Sequence, residues 1–178
     1  EHDTLTGLLN RKTFDDQFLK CLGEQAAGGA ALWLGVIDID HFKRVNDGFG
    51  HLIGDEVLLL VARLLRSAFR HGDRLYRFGG EEFVVLLRAD AREHAELAFE
   101  RFRAQMEAFC FPQVGPVTVS VGFTRLRPLD NASAAFERAD QAVYHAKQHG
   151  RNQVRCHDAL VETGEFHEED KSGEIELF

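Results

Sequence analysis

The chain has 178 residues, 44% hydrophobic and 28% charged, which suits one soluble domain long enough to bury a core. No apolar run approaches the roughly 20 residues of a membrane span and no leader of charged, apolar and small residues opens the chain, so neither membrane insertion nor secretion is expected of this segment. The formal charge of −8 is unevenly spread: eight of the 29 acids and one of the 21 bases lie in 157–178, and the remaining 21 acids against 20 bases argue against a nucleic-acid surface.

In chain order, Phe14, Phe18, Leu19 and Leu22 lie at helical spacing, and the stretch from Gly23 to Gly29 ends that helix. Ala31 to Ile39 reads as a buried strand. From Val57 to Phe69, the residues Val57, Leu60, Val61, Leu64, Leu65 and Ala68 mark one face of a helix that ends near Gly72. Two strand-like runs, Leu75 to Phe78 and Phe83 to Leu87, flank Gly79, Gly80, Glu81 and Glu82, which predicts a β-hairpin with carboxylates at its tip. Ala91 to Phe109 is helical, Pro112 and Pro116 frame a loop, and Val117 to Arg125 alternates as a strand. Ala132 to His149 is a helix, and Gln153 to Cys156 a short edge strand. Apart from the opening segment, this order predicts an α+β protein on the ferredoxin-like βαββαβ plan, with helices packed around a mainly antiparallel sheet and additions at both ends.

The folded domain is expected to span residues 1–156, with 157–178 as a mobile acidic tail because like charges outnumber core-forming residues there. The first residue is Glu, so the chain is expected to be a piece of a longer protein, the C-terminal output domain of a sensor. Cys21, Cys110 and Cys156 are odd in number, widely separated and without metal-ligand spacing, which fits reduced thiols in the cytoplasm. The nine histidines are each read as ordinary surface or core residues.

The hairpin carries the strongest chemical signal. Its glycine pair permits positive φ angles and lets a bulky anion approach the backbone, and a carboxylate beside it can hold a divalent metal. The strand that ends in Asp38, Ile39 and Asp40 can bring further carboxylates to the same place. Taken singly, these residues have duller readings. A Gly-Gly pair is usually only a turn, Asp55 could be the N-cap of the helix that follows it, and Asn46 could be a turn residue before Asp47 and Gly48. Lys43, Lys147 and Arg151 could be solvated charges, and Arg70 with Asp73 a surface ion pair.

Three further segments agree in order and spacing: Asp3, Leu5, Thr6, Gly7, Leu8, Asn10 and Arg11 at the start; Asp38, Asp40, Phe42, Lys43, Asn46, Asp47, Gly50, His51, Gly54 and Asp55 in the centre; and Ala139, Asp140, Ala142, Tyr144, Ala146, Lys147, Gly150, Arg151 and Asn152 near the end. With the hairpin they resemble the GGDEF family of diguanylate cyclases in its Gly-Gly-Glu-Glu-Phe variant, over about residues 3 to 156.

The resemblance implies a palm-like nucleotidyl cyclase fold and a reaction that condenses two GTP into cyclic di-GMP with release of two pyrophosphates. It assigns Mg²⁺, with Mn²⁺ as the alternative, to Asp38, Glu81 and the backbone carbonyl of Ile39. Glu82 is left between an orienting and a deprotonating role, and Asp40 is a structural partner. It places GTP against Phe42, Lys43, Asn46, His51, Asp55, Lys147 and Arg151, where Asp55 and Asn46 meet the donor edge of guanine. It makes Arg70 and Asp73 a product-binding inhibitory site, because five residues separate Asp73 from Gly79, and it adds Arg101 as a contact supplied across a dimer. Catalysis is then expected from a homodimer, under an upstream sensor, in the cytoplasm, with upstream segments able to attach the whole protein to a membrane. The rival readings are a catalytically silent GTP or cyclic di-GMP receptor and a purely structural dimerisation domain.

Overall fold

A computed structural model describes residues 1–166. Its centre is β2 (Leu32–Ile39), whose side chains are almost all buried on both faces, as the unbroken apolar run Leu-Trp-Leu-Gly-Val-Ile requires. β4 (Glu82–Arg88) and β7 (Val119–Arg125) pair with it on either side, both antiparallel. β3 (Arg74–Gly79) joins β4 as a hairpin. Two short parallel strands complete the six-stranded sheet, β1 (Leu9–Asn10) against β3 and β8 (Gln153–Cys156) against β7, giving the order β1-β3-β4-β2-β7-β8.

The inner four strands and two helices form the predicted core: β2, α3 (His51–Ala68), β3, β4, α4 (Arg92–Ala108) and β7. α3 and α4 cover one face, where Val57, Val61, Leu65, Phe99, Phe102 and Met106 pack with Ile37, Phe83, Val85, Val121 and Phe123. α1 (Arg11–Ala26) and α5 (Ala132–Gln148) cover the other, where Phe14, Phe18, Ala139 and Val143 pack with Leu34, Val36, Tyr76, Val84 and Leu86. Asparagine caps fix the starts of the second pair: Asn10 accepts from the Thr13 N–H and Asn131 from the Ala134 N–H. The sheet is therefore buried on both faces, and functional groups are left to its ends.

Several elements lay outside the sequence reading. Phe42 and Lys43, expected in a loop or the first turn of a short helix, open the helix α2 (Phe42–Phe49). The loop framed by Pro112 and Pro116 contains a two-stranded ribbon, β5 (Cys110–Phe111) with β6 (Gly115–Pro116). Cys110 is exposed, whereas Cys21 and Cys156 are buried.

The domain boundary expected at residue 156 falls inside folded structure. Residues 157–162 form α6 (His157–Glu162), with His157 and Leu160 buried. Asp158 accepts from the Thr124 hydroxyl at 2.6 Å and the Arg125 N–H at 3.1 Å, and Glu162 holds Arg92 of α4 through two bonds of 2.8 Å. Local charge repulsion is outweighed because each of these acids is individually partnered. The rest of the expected tail, 167–178, lies outside the described residues.

Candidate active site at the hairpin tip

The register of the sheet brings the carboxylates together. Asp38 stands directly opposite Glu82, so the two side chains rise on the same face of the sheet. Just beyond the ladder, the Ile39 N–H donates to the Glu81 carbonyl at 3.2 Å, which ties the hairpin tip to the end of β2 and sets Glu81 beside Asp38. Gly79 (φ 119°) and Gly80 (φ 51°) supply the backbone that the turn demands. Arg77 reinforces it from below. Its guanidinium donates to the Gly80 carbonyl at 2.8 Å and to Asp3 at 2.9 Å, while Asp3 also accepts from the Thr6 N–H and hydroxyl. The opening motif and the hairpin are thus one bonded unit, which explains why their residue types occur together.

The electrostatics are those of a carboxylate cluster short of positive charge. Burial and the neighbouring Asp38 push the Glu81 carboxyl above its ordinary range, and Lys147 opposes them. Glu82 is pushed up to about 7 by burial, then by Asp140 and Asp38, with Arg11 and Lys147 pulling the other way. One Asp38 oxygen is paired with Lys147 Nζ at 2.5 Å; the other, Oδ1, is buried without a hydrogen-bond partner. A buried, unpartnered carboxylate oxygen facing a second carboxylate is the donor set of a hard divalent cation. No group of three His, Cys, Asp or Glu side chains converges among the described residues. Two carboxylates completed by a backbone oxygen fit that finding.

The remaining candidates are arranged along α2 and α3. Phe42 is buried at the start of α2 and Lys43 is exposed next to it; no side chain caps this helix, whose N-cap His41 is in the left-handed region (φ 58°). Asn46 is half-buried inside α2, not in a turn, and its Oδ1 lies where a side chain on Gly54 would have to go, 1.9 Å from a Cβ built there. Asp55 is exposed within α3, four residues beyond its first residue, so the N-cap reading is overturned: the cap position is Gly50. His51 is exposed at the first residue of α3. Arg151 (φ 62°) follows α5 and reaches back to the Lys147 carbonyl at 3.3 Å. Asp40 is buried and accepts from Thr118 and Ser120 hydroxyls at 2.7 Å each.

Arg70, Asp73 and Arg101 line a separate cavity of about 320 Å³ with Arg88, Asp90 and His94. Asp73 accepts from the Arg70 N–H at 3.0 Å, so the Arg-x-x-Asp spacing builds a turn as well as a surface. Arg101 lines this cavity and donates to the Ala68 carbonyl at 2.6 Å. The hairpin tip and the cavity stand at opposite ends of β4, marked by Glu82 and Arg88.

Sequence reading passed over two groups. The reading of the histidines as free of any His-x₃-His spacing is corrected: His145 and His149 are such a pair, with rings stacked 3.9 Å apart, and His145 is paired with Glu165 at 2.8 Å. Asn152, Arg103 and Glu107 form a bonded set beside Asp40 that only the tertiary structure reveals.

Antiparallel β2, β4 and β7 with converging carboxylates at one end define a palm-like nucleotidyl cyclase fold. The family model "Diguanylate cyclase, GGDEF domain" matches residues 1–153, and the chain belongs to that family. It is 45% identical over 155 residues to diguanylate cyclase DgcP of Pseudomonas aeruginosa, covering 85% of this chain and 23% of that protein. It is 39% identical over 153 residues to diguanylate cyclase DgcM of Escherichia coli, covering 86% and 37%. The GGDEF domain of DgcB from Caulobacter crescentus, solved in complex with c-di-GMP, superposes with a TM-score of 0.83 at 35% identity, covering 88% of this chain and 95% of that one. The chain thus spans less than two fifths of these two curated relatives.

Proposed function

We propose that this domain is a diguanylate cyclase that condenses two GTP into cyclic di-GMP and two pyrophosphates. The observation that carries the reading is the approach of Glu81 to Asp38, whose buried Oδ1 is unpartnered, at a glycine hairpin held by Arg77. Asp38, Glu81 and the Ile39 carbonyl would hold Mg²⁺ or Mn²⁺, which supplies charge neutralisation at the triphosphate and activation of the 3′-hydroxyl. The uncapped start of α2 leaves the N–H groups of Phe42 and Lys43 for the terminal phosphates, with Lys147 and Arg151 as cationic neighbours. Lys147 neutralises one oxygen of Asp38 in the ligand-free domain and can move to phosphate when that charge is compensated. Asp55 and Asn46 would accept and donate along the guanine edge, with His51 beside them. Glu82, pushed up to about 7, can take or return a proton near neutrality without a large penalty.

Each phosphodiester forms when a 3′-oxygen bonds to an α-phosphorus as the bond to the β-phosphate bridging oxygen breaks and pyrophosphate departs. The product has two such bonds related by a two-fold axis. A homodimer that presents each GTP to the other therefore suits the reaction. The Arg70–Asp73–Arg101 cavity is the place for the product to act as inhibitor, and the complex of the DgcB domain with c-di-GMP supports that reading. The domain works in the cytoplasm beneath an upstream sensor. Incubation with GTP and Mg²⁺ followed by chromatography tests the proposal. Cyclic di-GMP and pyrophosphate in a 1:2 ratio are expected from the parent protein, and none from Glu81→Gln. Binding of GTP or cyclic di-GMP without turnover would identify the silent receptor instead.

A further inference from the structure

Asn152 is held in an unusual backbone conformation for a reason visible in its contacts. After α5, Gly150 (φ 105°), Arg151 (φ 62°) and Asn152 (φ 47°) all lie in the left-handed region, and an L-residue with a Cβ enters it only at a cost. Asparagine tolerates this conformation better than most, and here all three polar atoms of the residue that face its neighbours are engaged. Its N–H donates to Asp40 Oδ2 at 3.0 Å. Its Nδ2 donates to Glu107 Oε2, and its Oδ1 accepts from Arg103 Nη1 at 2.9 Å. Arg103 is itself fixed by Glu100, through bonds of 2.8 and 2.5 Å.

The group that Asn152 holds is the anchor of the nucleotide turn. Asp40 sits between Ile39 and the left-handed His41 that precedes α2, and no more than 4% of its surface is exposed. Three donors, Thr118, Ser120 and the Asn152 N–H, converge on its carboxylate, and its own N–H donates to the Thr118 carbonyl at 2.9 Å. Any movement of Asp40 moves the Ile39 carbonyl on one side and the first N–H groups of α2 on the other. Asn152 bonds to this anchor with its backbone and to α4 with its side chain, and it adjoins Arg151.

We propose that Asn152 is a positioning residue for the cyclase reaction: it registers the β2–α2 turn, through Asp40, against α4, and so sets the placement of the metal-side carbonyl and the phosphate-binding N–H groups. The inference rests on the cyclase reading. It predicts that the side chain and the backbone N–H of Asn152 contribute separably. Asn152→Gly keeps the N–H and suits the left-handed backbone, so the fold is retained while the link to α4 is cut. Asn152→Asp keeps the acceptor for Arg103 but opposes Glu107 with a like charge, and adding Glu107→Gln restores a donor in the reverse direction.

The test measures GTP turnover against Mg²⁺ and GTP concentration, with thermal melting alongside. Asn152→Gly should raise KM for GTP and the half-saturating Mg²⁺ concentration about tenfold while melting within about 2 °C of the parent, since small misplacements at a reacting centre cost rate steeply but little stability. Asn152→Asp should be impaired at least as much, and the Asn152→Asp, Glu107→Gln double variant should return to within about threefold of the parent, as a coupled pair requires. Parental KM and Mg²⁺ dependence in Asn152→Gly, or a double variant no better than Asn152→Asp, would overturn the inference, as would losses that follow melting temperature alone. Should the parent make no cyclic di-GMP, the cyclase reading fails by itself. Calorimetric titration of Mg²⁺-GTP into the same variants then decides the positioning role by the same shifts in affinity.

Discussion

The two ends of β4 present opposite electrostatic problems. At its start, burial and neighbouring carboxylates push the Glu81 and Glu82 carboxyls upward, and a buried oxygen of Asp38 has no hydrogen-bond partner. At its end, Arg88 joins Arg70 and Arg101 around a formed cavity, with Asp73 and Asp90 between them. The first end gathers carboxylates; the second has a hollow of about 320 Å³ and guanidinium groups that suit a phosphate and the O6 and N7 edge of guanine. The cavity that Arg70, Asp73 and Arg101 line is therefore not the place where the carboxylates gather. The proposed metal site is assembled from a turn and a strand end, whereas the cavity lies between β4 and α4. Loss of chemistry and loss of product binding should accordingly be separable along a single strand.

The largest expected effect breaks one end only. Glu81→Gln should lower cyclic di-GMP synthesis by about a thousandfold or more, roughly 4 kcal/mol at ~1.4 kcal/mol per tenfold, because a charged ligand of the proposed metal site is lost. Glu81 is disfavoured as an ion by burial and by Asp38, so the variant should melt no lower than the parent in metal-free buffer at neutral pH. Product affinity, measured by calorimetry, should stay within about twofold, since the cavity lies beyond the far end of the strand. Product affinity that falls together with turnover would show that the two ends are one site.

The converse substitution is Arg70→Ala. Loss of charge-assisted hydrogen bonds of about 1.5 to 3 kcal/mol should weaken cyclic di-GMP binding by roughly ten- to a hundredfold. Initial GTP turnover should be retained, and product should accumulate to a higher level before synthesis stops. A smaller effect sharpens the catalytic end. Gly54→Ala sets a methyl group 1.9 Å from Asn46 Oδ1, so that side chain must turn away from its place in α2. KM for GTP should rise about tenfold, the equivalent of ~1.4 kcal/mol, with kcat and product affinity little changed. An unchanged KM would remove Asn46 from the guanine contact.

The sequence was most legible where chemistry and periodicity coincide. The apolar run Ala31 to Ile39 and the paired runs around Gly79 and Gly80 predict a buried strand and a hairpin, and the structure pairs them so that Asp38 stands opposite Glu82. Residues 42–49 gave no such signal: only Phe42 and Val45 are buried, too few to mark an apolar face, and Gly48 lies within the helix. α6 was hidden because Asp158 and Glu162 read as repelling charges until Thr124, Arg125 and Arg92 are brought to them by the fold. The Asn152 contacts join residues far apart in the chain and carry no periodic pattern at all.

The smallest expected effect concerns neither end of β4, and it separates general loosening of the domain from damage to a site. Burial alone would raise the Asp158 carboxyl, but the His157 ring 3.9 Å away and hydrogen bonds from Thr124 and the Arg125 N–H outweigh it and hold the group at about 2. A carboxyl depressed below its unfolded value near 3.9 adds stability that is fully present above that value and is lost as pH falls through the folded one. Asp158 should therefore contribute fully at neutral pH and progressively less from about pH 4 to about pH 2. Asp158→Asn should lower the melting temperature at pH 7 by a few degrees, the size expected for a loss of about 1 kcal/mol. The gap between parent and variant should then close across that acid window. Because α6 fastens to β7 and, through Glu162, to Arg92 at the start of α4, the substitution loosens the C-terminal edge without touching Asp38, Glu81 or Arg70. Below the melting transition, turnover and product affinity should both match the parent. A gap that stays constant from pH 7 to pH 2 would show that the Asp158 hydroxyl and amide contacts do not depend on its charge, and a selective loss of either activity would mean that α6 supports one end of β4 after all.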